Sequence, residues 1–103
     1  MGKVFAVGVG PGSPDYVTET VRKIVVDADV VVGYEYTLKA ISNLVQDKKV
    51  HIITMEDQEK TYQQIKKGLG DGVLVVPFTG DVNFSESEVV DRLIEIFGDV
   101  EII

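Results

Sequence analysis

At 103 residues, with 45% hydrophobic and 26% charged side chains, the chain has the make-up of one globular domain. A domain of that size buries roughly two thirds of its unfolded surface. Zero cysteines exclude disulfides and thiolate metal sites, and a single histidine, His51, argues against a structural zinc site. A net charge of −7 argues against nucleic acid as a partner, and no apolar run nears the roughly 20 residues that span a bilayer; a cytoplasmic protein with no membrane contact is the simplest expectation.

The first strand is expected over Lys3–Val9, and it runs straight into a loop with Gly8, Gly10, Gly12, Pro11 and Pro14. Glycines there free the backbone and leave no Cβ in a ligand's way, while the prolines stiffen the turn. Open α/β sheets bind ligands just beyond the carboxyl ends of their strands, so the position points to a cofactor loop. Three readings compete. A dinucleotide fingerprint, G-x-G-x-x-G, is met at Gly8 and Gly10 but has Ser13 in third place, with Glu35 near where an acid would hold a ribose. A P-loop is excluded by the lack of a lysine after the glycines. The third is a tight strand-to-helix turn that binds nothing.

Next comes a helical stripe of Val17, Val21, Ile24, Val25 and Ala28, with Thr18 as its N-cap. A second strand, Asp29–Val32, precedes a weaker helix marked by Leu38, Ile41, Leu44 and Val45. The third strand is Val50–Thr54. A third helix over about Asp57–Leu69 has acids early and Lys66 and Lys67 late, as the helix dipole prefers, and ends at Gly68–Gly72. The fourth strand, Val73–Pro77, opens into Phe78-Thr79-Gly80-Asp81-Val82-Asn83-Phe84-Ser85-Glu86. That loop offers a sharp turn, polar groups at Asp81 and Asn83, and an apolar plane at Phe84. The last helix shows Val90, Leu93, Ile94 and Phe97 on one face, opened by Ser85 or Ser87, and Val100–Ile103 forms the fifth strand.

Nearly continuous β-branched runs read as strands covered on both faces, and alternation with helices predicts a three-layer α/β/α domain around a five-stranded, mainly parallel sheet. From Asp81 onward there are seven acids and one base, Arg92, so this third carries −6 of the net charge; a solvated helix face explains that best. The chain closes on an apolar strand, which is expected of a domain cut from a longer polypeptide.

Taken together, "VGVGPGSPDYVT" at 7–18, "ADVVVG" at 28–33 and "TGDVNFSE" at 79–86 resemble the tetrapyrrole (corrin/porphyrin) methylase family. The resemblance covers essentially the whole chain and corresponds to the N-terminal half of that fold. It implies transfer of a methyl group from S-adenosyl-L-methionine to a carbon of a precorrin or cobalt-precorrin in cobalamin biosynthesis, most like the cobalt-precorrin C5-methyltransferases. It also implies a homodimer in the full-length protein, and a cofactor held by Val9, Gly10, Asp81, Val82 and Phe84. Pro11 and Gly12 would face the macrocycle. The family's Gly-Asp-Pro reads Gly80-Asp81-Val82 here, which keeps the acid and loses some stiffness. Tyr34 and Tyr36 could pack on a flat ring, and His51 and Met55 read as structural. No metal is implied, and no catalytic side chain is assigned. Against this stand a nicotinamide-dependent oxidoreductase domain, and a flavodoxin-like binding module, which would need acids after the first strand where Gly8 and Gly10 stand.

Overall fold

The computed structural model describes residues 2–8, 18–54, 56–78 and 86–103. In chain order the elements are β1 (Lys3–Gly8), α1 (Glu19–Val26), β2 (Val30–Gly33), α2 (Glu35–Leu38), a 3-10 segment (Lys39–Leu44), β3 (Lys49–Ile52), α3 (Gln58–Leu69), β4 (Val73–Phe78), α4 (Glu86–Phe97) and β5 (Glu101–Ile102). The five strands form one sheet in the order β3-β2-β4-β1-β5, and every pairing is parallel. The expected α/β/α architecture is what the chain adopts.

Two apolar clusters, one on each face, explain why the strands stack this way. On one face Val7, Val31 and Val75 meet Val21 and Val25 of α1, with Leu38, Ile41 and Val45 from the second connection. On the other, Val4, Ala6, Val32, Leu74 and Val76 meet Tyr62 and Ile65 of α3 and Leu93 and Ile96 of α4. Alternate residues of one strand thus serve opposite cores, which is why β1, β2 and β4 read as unbroken apolar runs.

Helix ends follow local chemistry. Thr18 caps α1, its Oγ1 accepting from the Val21 amide at 3.2 Å. Lys48 Nζ donates to the Val26 carbonyl at 2.6 Å, where the last turn of α1 leaves acceptors unmet. Ahead of α3, Thr54 and Asp57 exchange bonds: the Thr54 amide donates to Asp57 Oδ1 at 2.6 Å and the Asp57 amide to Thr54 Oγ1 at 3.4 Å. α3 stops at Gly70, whose φ of 57° is cheap only without a Cβ.

Three expectations need correction. The weak second helix is a single α turn, then a 3-10 segment with a kink at Ile41 (φ −123°, ψ 20°). The inward face of α4 is set by Leu93 and Ile96, with Phe97 partly covered, while Ile94 is 42% exposed. One residue is 100° of helix rotation, so Leu93 and Ile94 cannot both face inward when Ile96 does. Finally, β3 and β5 are edge strands and are not covered on both faces: Ile52 is 60% exposed and both residues of β5 are exposed. Among the described residues no helix is long and apolar enough to cross a membrane.

Candidate functional site

β1 and β4 are neighbours, paired in register over six residues that end with Gly8 opposite Phe78. Their outgoing connections part company there. The chain leaving β1 passes to α1 on one face and returns at β2; the chain leaving β4 passes to α4 on the other face and returns at β5. Adjacent strands whose crossovers diverge make the topological switch point of an open sheet, and ligands of such folds sit in the crevice beyond its carboxyl ends.

The expected ligand-contacting residues belong to the two segments that start at this point. Val9, Gly10, Pro11 and Gly12 follow Gly8, and Asp81, Val82 and Phe84 follow Phe78; all seven lie outside the described residues, as does Met55. What the fold establishes is where the two segments are rooted, on adjacent strands at one rim. Among the described residues, a Cβ built on Gly8 would make ordinary van der Waals contact, 3.9 Å from the Ile103 carbonyl and from the Phe78 ring.

Beside the switch point the rim holds a small slot between the ends of β2 and β4, lined by Gly33, Tyr34, Thr37, Ile53, Val76, Pro77 and Phe78. Its origin is chemical. Pro77 has no amide hydrogen to give, and the β2–β4 ladder extends only over Val30–Val31 and Leu74–Val75, stopping short of it. Gly33 then lets the chain pass close by: a Cβ there would lie 3.3 Å from Pro77 Cγ and 3.5 Å from a Leu38 methyl carbon. With a volume of about 10 Å³ among the described residues, the slot has room for about one water, too little for a cofactor. Sequence reasoning passed over Pro77 and Gly33, yet a proline near the end of a central strand, beside a strand-end glycine, is a readable signal.

The other residues singled out in the sequence are scattered. Tyr34 lines the slot and packs against the α3/α4 core. Tyr36 lies in α2, with Glu35 exposed at its start. His51 is half-buried on the β3 edge, well away from the switch point in strand order.

Behind the slot, sequence reasoning missed a buried polar group. Tyr62 of α3 is fully buried, and its hydroxyl has no hydrogen-bond partner among the described residues. Burial drives its phenol well above the ordinary range, with Tyr34 adding to the rise and Arg92 opposing it. Arg92 pairs with Glu59 across α3 and α4 at 3.1 Å, and Lys66 Nζ donates to the Ile96 carbonyl at 2.7 Å, so the two helices are tied at both ends. An unmet buried hydroxyl costs about 1–3 kcal/mol, and Tyr62→Phe is therefore expected to stabilise the fold by about 1 kcal/mol in thermal denaturation. The raised phenol favours the neutral form in the fold. Its contribution is complete below the unfolded phenol's pKa of about 10 and is lost as pH rises beyond it. Alkaline destabilisation should therefore be smaller in the Phe variant, and an unchanged profile would refute this.

Comparison with known proteins adds the following. The sequence profile of the tetrapyrrole (corrin/porphyrin) methylases matches residues 3–103. A cobalamin biosynthesis protein CbiHC from Archaeoglobus fulgidus is 39% identical over 49 residues, which is 48% of this chain and 11% of that protein. A probable cobalt-precorrin-7 C(5)-methyltransferase from Methanocaldococcus jannaschii is 43% identical over 47 residues, 46% of this chain and 22% of the relative. The solved uroporphyrin-III C-methyltransferase of Thermus thermophilus superposes with a TM-score of 0.72 at 17% identity, over 99% of this chain and 46% of its own length. The chain thus spans less than half of that structure, and its matched stretches span a smaller share still of the two sequence relatives.

Proposed function

Since the chain belongs to the tetrapyrrole (corrin/porphyrin) methylase family, we propose that it forms the N-terminal, cofactor-side half of an S-adenosyl-L-methionine-dependent C-methyltransferase. The substrate is a precorrin or cobalt-precorrin of cobalamin biosynthesis, and C5 is the carbon best supported. The observation that carries this reading is the divergence of β1 and β4 at Gly8 and Phe78, which roots both candidate loops at one switch point. The partial likeness to a relative named for C(5) methylation supports the choice of carbon. Neither the nicotinamide-dependent domain nor the flavodoxin-like module is favoured, because the profile match runs the length of the chain.

When bound, S-adenosyl-L-methionine supplies an electrophilic methyl group on a sulfonium, and in-line displacement needs alignment and exclusion of water more than a nucleophilic side chain. The residues here fit that demand. Among the described residues, a Cβ at Gly8 would meet no atom closer than ordinary van der Waals contact, and the slot beside it has room for about one water. On this reading the cofactor lies beyond the strand ends, and the resemblance assigns its contacts to backbone at Val9 and Gly10 and to Asp81, Val82 and Phe84. The resemblance assigns Pro11 and Gly12 to the macrocycle side, and Tyr34 lies at the floor on the β2 side.

Charge sets a limit on what this domain does unaided. A precorrin carries many carboxylates, and a domain of net charge −7 repels them, so most of the cations that hold the substrate must come from outside these 103 residues. The isolated chain is expected to give no methyl transfer above a no-enzyme control. In the complete gene product, calorimetric titration should detect S-adenosylhomocysteine and not NADH. Turnover by the isolated chain would overturn the division of labour, and preference for NADH would overturn the methylase reading.

A further inference from the structure

Independently of the methylase reading, the end of the β2–β4 seam deprives one buried carbonyl of its ladder donor. Parity fixes which one. The Asp29 amide donates to the Val73 carbonyl at 2.9 Å, so Val73, Val75 and Pro77 turn their main-chain groups toward β2. The Ile53 amide donates to the Gly33 carbonyl at 3.0 Å, so Gly33 faces β3, and Val32, one residue earlier, faces β4. The register of Val31 beside Val75, carried one step further, sets Val32 beside Val76. In a parallel ladder Val32 would then donate to the Val75 carbonyl and accept from the amide of residue 77. Residue 77 is proline and has no amide hydrogen.

We propose that one ordered water stands in for that amide, seated in the slot and donating one hydrogen to the Val32 carbonyl and the other to Thr37 Oγ1. Val32 is fully buried, and buried main-chain carbonyls are paired with backbone, a side chain or a fixed water. The slot lies beside the missing bond, between Gly33, which follows Val32, and Pro77, and its room suits a single water. Thr37, 4% exposed, brings a hydroxyl to the same wall, while Ile53, Val76 and Phe78 line it with apolar side chains. A buried water needs at least two polar partners, so its hold depends on the Val32 carbonyl and the Thr37 hydroxyl together. A bridge of this kind is nearly as favourable as the direct bond that proline forbids.

A high-resolution crystal structure of the complete gene product should show one water in the slot, about 2.8 Å from both oxygens. Pro77→Val restores an amide at similar bulk. The water should be lost from that variant, and the amide of residue 77 should exchange with deuterium as slowly as the paired amides of β4. Thr37→Val keeps the shape of the side chain and removes its hydroxyl, so the water should be lost there too, with circular dichroism unchanged. Thr37→Ser should retain it. A dry slot in the parent protein, a Thr37 hydroxyl donating directly to the Val32 carbonyl, or a water that persists in Pro77→Val or Thr37→Val would each overturn the proposal.

Discussion

Leu74→Ala is expected to cost about 3 kcal/mol of folding stability, the largest effect of any substitution considered. Leu74 is fully buried on β4, paired with Val4 on one side and Val30 on the other, and it faces the core closed by α3 and α4. Truncating a leucine at a closed site removes its transfer free energy and leaves a cavity that surrounding strands cannot collapse into, which costs about 2–5 kcal/mol. At about 4–8 °C per kcal/mol for a domain of this size, the midpoint of thermal unfolding should fall by roughly 15 °C. The same truncation at Ile94, on the solvent side of α4, should shift it by no more than a few degrees. Comparable losses at both positions would mean that the helix faces are wrongly assigned.

Asp81→Ala in the complete gene product should weaken binding of S-adenosylhomocysteine at least tenfold. The proposed role of Asp81 is a charged acceptor for the cofactor or for the backbone that shapes its loop, and hydrogen bonds to charged groups contribute about 1.5–3 kcal/mol. Tenfold in affinity corresponds to about 1.4 kcal/mol, the lower end of that range. Because Asp81 follows β4 beyond its last paired residue, Phe78, the substitution leaves the ladder alone and thermal stability should hold. Unchanged affinity in a folded variant would remove Asp81 from the site.

Much of the architecture could be read from the residues alone. The apolar runs at Val4–Val7, Val30–Val32 and Val73–Val76 marked the central strands because each must face two cores at once. Thr18 marked the start of α1 because its side chain can accept from an amide of the first turn. The second connection was harder, though its signal was present. Leu38, Ile41 and Leu44 recur every third residue, the period of a 3-10 helix, and were read as an α stripe. Strand order was out of reach, because in a parallel sheet it depends on which way each helix carries the chain, and no short spacing encodes that. Edges were missed for the same reason: Val50 and Ile52 look like core residues until β3 is known to be outermost. At the candidate site, sequence located two loops and the fold located their roots. Pro77 and Gly33, which open the rim between β2 and β4, work through a missing amide hydrogen and a missing Cβ. Absent atoms draw less notice in a string of letters than a motif does.

The seam of six matched residues between β1 and β4 has a bearing on how such a crevice can evolve. It sets the two chain exits about 4.8 Å apart by main-chain geometry alone. Side chains along either strand can therefore drift, within the limits of their cores, without widening or narrowing the mouth. New ligand preferences would then arise by rewriting what hangs from the exits, while the hardware that spaces them stays the same.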